Sequence, residues 1–149
     1  MRYLIFILVL SVCSLSCKEK PSEIQKEESS KEPMVYEMYQ PSEMALLMEH
    51  MYAYNMQLKK DIEAGKTPEQ FPMDFLKIHS AQMTSASDRN SSFESFSKLF
   101  IQAEKAIFDA TSEVPLEDRF NNMVNLCISC HQTSCTGPIP RIKKLLIKE

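Results

Sequence analysis

The stretch that decides the fold is residues 116–135, LEDRFNNMVNLCISCHQTSC. Its apolar residues recur at steps of three and four, which is the spacing of one face of an α-helix. Because Cys127, Cys130 and His131 lie at positions i, i+3 and i+4, a helix would project all three side chains from one side. We therefore expect a helix over residues 115–135 that presents two thiols and an imidazole to the interior of the domain.

The spacing Cys127-Ile128-Ser129-Cys130-His131 is that of a c-type haem attachment site. In such a site each cysteine sulfur forms a thioether with one haem vinyl group, and the adjacent histidine binds the iron as its axial ligand. We therefore predict one covalently bound haem c. Cys127 and Cys130 attach it, and His131 is the proximal iron ligand.

Two other chemistries use the same residues. Cys135 adds a third thiol, so Cys127, Cys130, His131 and Cys135 are a candidate Cys₃His zinc site. The Cys127 and Cys130 pair is also a candidate redox dithiol, but such pairs are activated at a helix N-terminus, and this pair lies late in its helix. Cys135 is four residues after His131. We expect it to be a buried thiol near the haem, with an intermolecular disulfide as the alternative for an odd cysteine.

Residues 41–149 are predicted to form one all-α domain. The chain has only two glycines, Gly65 and Gly137, and this region has no long alternating β pattern. Apolar residues at helical spacing predict three further helices, over residues 42–64, 72–83 and 91–111. Four helices joined by short connections predict an antiparallel four-helix bundle, with the haem attached to the last helix.

The first 40 residues indicate export. Residues 1–16 contain Arg2 followed by an apolar run that is short for a membrane span, which predicts a signal peptide. Ser16-Cys17 resembles the lipobox of bacterial lipoproteins, although Ser14 stands where leucine is expected, and a cleaved signal without lipid is the alternative. We predict that Cys17 is lipidated and that residues 17–40 form a flexible, charged tether. The domain would then lie on the periplasmic side of a bacterial membrane, where haem c is attached.

With a bundle pattern and one haem motif in its last helix, the chain resembles the cytochrome c′ superfamily over roughly residues 41–149. The resemblance implies a haem enclosed by packed helices, and either periplasmic electron transfer or binding of NO or CO. It also suggests a homodimer. The segments MALLME (residues 44–49) and CHQTSCTGP (residues 130–138) resemble haem lipoproteins of Bacteroidetes-like bacteria. The tether, the extension after the motif and the methionine-rich first helix depart from typical cytochromes c′.

The sixth position of the iron determines which of these functions applies. In the low-spin branch of the superfamily a methionine from the first helix binds there, and Leu47-Met48-Glu49 resembles the setting of that ligand. Met48 is our predicted sixth ligand, with Met51 second and Met44 third, whereas methionines at helical spacing are also common core residues. His79 is a rival ligand, although we expect it to be a partly exposed histidine, and His50 is expected to face solvent. Without a sixth protein ligand, the iron would bind NO or CO.

The net charge and the basic C-terminal residues limit the classes of binding partner that we expect. The net charge of −3 disfavours nucleic-acid binding and permits periplasmic redox partner proteins. Residues 138–149 form a basic segment in which Arg141 is a candidate partner for a haem propionate, with a solvated end as the alternative. No catalytic acid–base pair, nucleophile triad or phosphate loop is visible in the sequence, so we expect a carrier and not an enzyme.

Overall fold

The computed structural model describes residues 40–148, and every regular element within them is a helix. Three long α-helices are present: α1 (Glu43–Glu63), α2 (Ser91–Ile107) and α3 (Leu116–Thr133). A short α4 (Ile139–Ile142) and three 3₁₀ helices (Met73–His79, Ala86–Asp88 and Lys143–Leu145) complete the list. The predicted all-α class is confirmed for this part of the chain. The predicted signal peptide, Cys17 and all of the tether before Gln40 lie outside the described residues.

Side-chain caps and a glycine set the ends of the first long helices. The Ser42 hydroxyl accepts a hydrogen bond from the Ala45 N–H at 3.1 Å, and the Asn90 side chain accepts one from the Phe93 N–H at 3.0 Å. Each bond satisfies an N–H that the first turn of a helix leaves free. Gly65 follows α1 with φ of 72°, a left-handed conformation that glycine adopts without strain. The helix predicted over residues 42–64 therefore agrees closely with α1.

The second predicted helix, over residues 72–83, is instead the seven-residue 3₁₀ helix Met73–His79. Its buried residues Phe75 and Ile78, and Ala81 just beyond it, are three apart in sequence. A 3₁₀ helix has three residues per turn, so side chains at this spacing lie in one line. Gln82, which an α-helical seam would bury, is exposed. The region thus differs from a bundle of four long α-helices.

The end of this region is fastened to the start of α1 by backbone groups. The Gln82 N–H donates to a carboxylate oxygen of Glu43 at 2.8 Å, and the Gln82 carbonyl accepts from the Met44 N–H at 3.0 Å. Both bonds involve the first turn of α1. The N–H groups of that turn have no partner within the helix, and the helix dipole favours a carboxylate such as that of Glu43 there. The 3₁₀ segment is therefore held against the helix that carries the methionines.

The C-terminal residues 138–148 pack onto the domain and are not the solvated end considered from the sequence. Ile142 and Leu145 are buried in the core. The Asn121 amide of α3 donates to the Ile147 carbonyl at 3.0 Å and accepts from the Ile147 N–H at 2.9 Å. The Lys59 ammonium of α1 donates to the Leu146 carbonyl at 2.7 Å. This segment therefore forms a wall of the domain.

The core joins α1, the 3₁₀ segment, α2, α3 and the C-terminal residues into one cluster. Its largest fully buried side chains are Phe75, Ile107, Phe120, Met123, Val124 and Glu104. Glu104 is the member of that set with an ionisable side chain. Among the described residues, no helix has the length and apolar character that a membrane crossing needs.

Candidate functional site

Three long helices and the C-terminal segment surround one mainly apolar pocket. Its cavity volume is about 110 Å³, and it opens to solvent on one side. Ligand and cofactor sites are lined mostly by apolar and aromatic groups with a few polar ones. α2 supplies an aromatic wall of Phe93, Phe96 and Phe100, and the C-terminal segment supplies Ile142 and Leu145. The lining of the pocket therefore has the chemical character of a cofactor site.

All three residues of the haem motif line this pocket. Cys127, Cys130 and His131 are half-buried on α3, and their side chains share its wall with Leu126. This agrees with the helical spacing, which places the three on one face. Neither cysteine is in a disulfide. A little more than one turn of α3 thus brings two thiols and an imidazole to the same pocket.

The His131 ring is held in a defined tautomer. Its Nδ1 lies 2.9 Å from the Cys135 carbonyl oxygen. A carbonyl oxygen only accepts, so Nδ1 carries the proton and donates, and the lone pair of the ring is on Nε2. Metal-binding histidines typically donate their other ring N–H to a carbonyl or carboxylate in this way, which fixes the ring and strengthens the ligand. His131 is therefore prepared to bind a metal through Nε2.

The two motif cysteines are protonated thiols in this environment. Burial raises the pKa of Cys127, and the nearby negative charge of Glu104 raises it further. Burial also raises the pKa of Cys130. A dithiol that reacts with disulfides needs a lowered pKa, because the thiolate is the nucleophile. These surroundings therefore argue against the redox-dithiol interpretation.

Cys135 is exposed, and the prediction that it is a buried thiol near the haem is wrong. α3 ends at Thr133, so Cys135 lies beyond the helix and does not share the face of His131. It contacts His131 through backbone groups, since its carbonyl accepts from the ring and its N–H donates to the His131 carbonyl. Within residues 40–148, no three or more histidine, cysteine or acidic side chains are grouped to hold a metal ion. The four candidate zinc ligands are therefore not assembled in this arrangement.

α1 brings two of the three candidate methionines to the pocket. Met48 and Met51 line it, whereas Met44 is buried in the core and does not. The order predicted from the sequence placed Met44 last, and its position gives it no access to the cavity. Met48 is half-buried and Met51 is buried, so both remain candidates for the sixth iron position.

The remaining histidines lie away from the pocket lining. His79 is exposed, and its Nδ1 lies 3.3 Å from the Ser97 hydroxyl of α2. His50 is exposed, as predicted, and its ring meets Phe75 edge-on with centroids 5.9 Å apart. Ser97 itself lines the pocket, so His79 is one side chain removed from it. The structure does not bring His79 into a ligand position.

Arg141 stands at the pocket with its charge already partnered. Its guanidinium forms an ion pair with Glu49 at 2.5 Å and lies 3.9 Å from the centroid of the Tyr52 ring. The hydrogen bond to Arg141 lowers the pKa of Glu49 below its usual value. All three residues line the pocket, and the Arg141 side chain is 46% exposed. A cation is thus held at the pocket, and its pairing with a haem propionate stays a prediction.

The sequence interpretation missed Glu104. This residue of α2 is fully buried, and neither carboxylate oxygen has a hydrogen-bond partner. Burial raises the pKa of Glu104 to about 8, although the nearby Asn55 amide opposes the shift. The signal was present in the spacing, because Glu104 lies four residues after Phe100 and three before Ile107 on the apolar face of α2.

The residues around the pocket fit a covalently attached haem. The donor set is two thiols and one oriented imidazole on one wall, with two thioether sulfurs on another and a cation nearby. Apolar and aromatic side chains fill the rest of the lining, and the buried Asn55 oxygen without a partner marks a polar point within it. Comparison with protein-family models, with curated proteins and with solved structures found no match to this chain.

Proposed function

We propose that this protein is an exported monohaem c-type cytochrome that transfers electrons, with its helices packed around the haem as in the cytochrome c′ superfamily. One observation carries the proposal: Cys127, Cys130 and His131 line the same apolar pocket as Met48 and Met51. A CxxCH sequence that arose by chance need not face a mainly apolar pocket, nor share that pocket with two methionines. In this arrangement the 3₁₀ helix Met73–His79 stands where the second long helix of the bundle was expected.

The motif residues and the aromatic wall would have different roles in holding the cofactor. Cys127 and Cys130 would form the two thioethers, and His131 would bind the iron through Nε2 while Nδ1 donates to the Cys135 carbonyl. When bound, the haem supplies one-electron exchange at its iron. The aromatic wall of α2 would shield one side of a bound haem from water, and shielding from water is one of the means by which a protein sets the potential of such a group.

The methionines of α1 favour the electron carrier over other uses of a haem. A methionine in the sixth position gives a low-spin iron with a raised reduction potential. Met48 remains our first candidate and Met51 the second, since both line the pocket. An iron that kept the same six ligands in both oxidation states would suit a carrier that exchanges electrons with periplasmic redox proteins.

Export and anchoring complete the proposal. They rest on the sequence of residues 1–16, on Cys17 and on the charged tether of residues 17–40. A lipid chain on Cys17 would hold the domain at the periplasmic side of a bacterial membrane. Homodimerisation is proposed from the resemblance to the superfamily alone.

Binding of NO or CO is the second candidate function. The aromatic wall formed by Phe93, Phe96 and Phe100 favours it, because a mainly apolar pocket that also held the iron would admit a small uncharged gas. This function requires that neither Met48 nor Met51 binds the iron. The two candidates therefore differ in one property, which is the number of protein ligands on the metal.

Absorption spectra of the purified exported protein test the proposal. The electron carrier predicts low-spin spectra in both oxidation states and no rapid change when CO is added to the reduced form. A high-spin ferrous spectrum with immediate CO binding would assign the protein to the gas-binding function. A colourless protein that retains zinc would assign it to a structural lipoprotein, and the loss of that zinc in Cys135→Ser, with no loss in the parent, would identify the site.

A further inference from the structure

Glu104 and Asn55 form a buried polar pair in the interior of the domain. Glu104 is 0% exposed and Asn55 is 2% exposed. The atoms without hydrogen-bond partners are both carboxylate oxygens of Glu104 and the Oδ1 of Asn55. The two side chains lie close together, because the Asn55 amide affects the pKa of Glu104. Buried polar atoms without partners are costly, so an arrangement that leaves three of them calls for a physical explanation.

A proton bound to Glu104 would remove most of the unfavourable free energy of burying these atoms without partners. The Asn55 NH₂ group can approach the carboxylate as a donor, which is why it opposes the rise in the pKa of Glu104. The Asn55 Oδ1 and an ionised carboxylate both only accept, so Glu104 offers no partner to Oδ1 while it is charged. A neutral Glu104 has an O–H that can donate to Asn55 Oδ1, which gives a partner to one atom of each residue. A neutral carboxyl also avoids the cost of burying a charge. The geometry therefore indicates that Glu104 binds a proton more tightly in the folded protein than an exposed glutamate does, and its raised pKa is consistent with this.

The pair lies beside the haem attachment site. Asn55 lines the pocket together with Cys127, and the charge of Glu104 acts directly on Cys127. In a medium of low polarity, charges interact over larger distances than in water. A charge on Glu104 would therefore be felt by a cofactor held at Cys127.

We propose that Glu104 and Asn55 form a proton-binding pair that takes up a proton when the haem is reduced and releases it when the haem is oxidised. The inference rests on the proposed haem. One electron comes from an external one-electron donor and reduces the iron, while one proton comes from solvent and forms an O–H bond on Glu104. A carboxylate near the haem stabilises the oxidised, more positive form, so its presence at high pH lowers the reduction potential.

The groups around Glu104 leave its charge uncompensated. From α1, Tyr54 is the titratable neighbour, and the pKa of Tyr54 is raised by burial and then by Glu104. From α3, Cys127 is the titratable neighbour, and a thioether would remove its proton. The 3₁₀ segment contributes the uncharged Phe75 and Ile78 to this core, and its His79 bonds to Ser97. Among the described residues, no cation contributes to the pKa of Glu104.

Redox titration of the haem-loaded full-length protein across pH 5 to 10 tests the inference. We expect the midpoint potential to fall as pH rises through the window set by Glu104, with a slope approaching about 59 mV per pH unit, the value for one proton per electron. Glu104→Gln keeps an N–H that can donate to Asn55 and cannot titrate, so its slope in this window should vanish. Glu94→Gln removes an exposed carboxylate of the same helix and should keep the slope of the parent.

The outcomes separate this inference from the proposed function. If the purified protein holds no haem, both are overturned. If it holds haem and the parent shows the same pH profile as Glu104→Gln, only the proton-binding pair is overturned. Infrared difference spectra between oxidised and reduced parent protein provide a test that needs no variant. We expect a protonated carboxyl band to gain intensity on reduction, and its absence at all pH values would overturn the inference.

Discussion

At the scale of single residues, the methionines of α1 offer a test of the proposed sixth ligand of a haem iron. Met48 and Met51 line the pocket, whereas Met44 is buried outside its lining. We predict that Met48→Ala converts a low-spin ferric spectrum to a high-spin one, because removal of the sixth ligand weakens the field at the iron. Absorption and electron paramagnetic resonance spectra measure the change.

Met44→Ala is the matched control, since it removes the same side chain from the same helix and should leave the spin state unchanged. If Met51→Ala changes the spectrum and Met48→Ala does not, then Met51 is the ligand. A spectrum that neither substitution changes would exclude a methionine of α1 from the iron.

Single residues also show what the sequence could predict about the site. The spacing of Cys127, Cys130 and His131 is sufficient to place them on one helical face, because helix geometry is regular over so short a distance. The same reasoning failed for Cys135, which required the helix to continue past Thr133. It also missed Glu104, since a carboxyl at an apolar position is more readily assigned to solvent than to a core.

At the scale of elements, the 3₁₀ helix Met73–His79 can be tested through its period of three. Phe75 is 0% exposed, and its ring contacts the Tyr54 ring with centroids 5.3 Å apart. Phe75→Ala removes a fully buried aromatic side chain and should lower the free energy of unfolding by about 3–5 kcal/mol. Urea unfolding followed by circular dichroism measures the difference.

Met73 belongs to the same segment and is 66% exposed. Met73→Ala should change the free energy of unfolding by no more than about 0.5 kcal/mol. Equal effects of the two substitutions would contradict the packing described for this segment, because they would mean that it has no buried side.

The C-terminal segment provides a second test of an element. Asn121 bonds both the N–H and the carbonyl of Ile147, so Asn121→Ala leaves two backbone groups without partners. We expect a loss of about 1–3 kcal/mol and faster hydrogen exchange at the Ile147 amide. Asn122 is the adjacent, exposed residue of the same type. If Asn122→Ala accelerates exchange at Ile147 as much as Asn121→Ala does, the two hydrogen bonds assigned to Asn121 do not hold this segment in place.

The elements that the sequence predicted well are those with a clear start and stop. α1 has a serine cap before it and a glycine after it, and both signals act locally. The 3₁₀ segment was taken for an α-helix because its apolar residues fit steps of three and four almost as well as steps of three. The C-terminal segment was taken for a basic end, although Ile142 and Leu145 are spaced to pack on one side, because its burial depends on partners far away in sequence.

At the scale of the whole molecule, Glu104 predicts an unusual dependence of stability on pH. The pKa of Glu104 is about 8 in the folded chain against a model value of 4.5, so the folded state holds this proton more tightly than the unfolded state. Stability from this group is therefore complete below about pH 4.5 and is lost as pH rises towards 8, by up to about 1.4 kcal/mol per pH unit. Urea unfolding at intervals between pH 5 and 8 measures the slope.

The other shifted carboxyl groups act in a different pH range. The pKa values of Glu49, Asp61, Asp74 and Asp109 are lowered, chiefly by hydrogen bonds, so their contributions are lost only in more acidic solution. Glu104→Gln should therefore remove the slope between pH 5 and 8 without altering the acid limb. A slope that persists in this variant would show that another group is responsible.

The arrangement of the whole molecule was the least predictable level. Helical class follows from composition and periodicity, which are local, and it is confirmed within residues 40–148. The closure of one pocket by α1, α2, α3 and the C-terminal segment depends on contacts between residues far apart in the chain, such as Arg141 with Glu49. The motif nevertheless predicted that Cys127, Cys130 and His131 face the interior of the domain, because a haem attached to them would have to be enclosed there.

The mass of the exported protein tests the central claim most directly. Produced in a bacterium that attaches haem c, the parent should gain the mass of one haem that survives denaturation and acid extraction, because thioethers to Cys127 and Cys130 are covalent. Replacing both cysteines with alanine should abolish the gain, whereas Cys135→Ser should keep it, since Cys135 is exposed and outside the pocket lining. A parent protein whose mass equals that of its polypeptide, with or without a lipid and with no bound haem, would contradict the account.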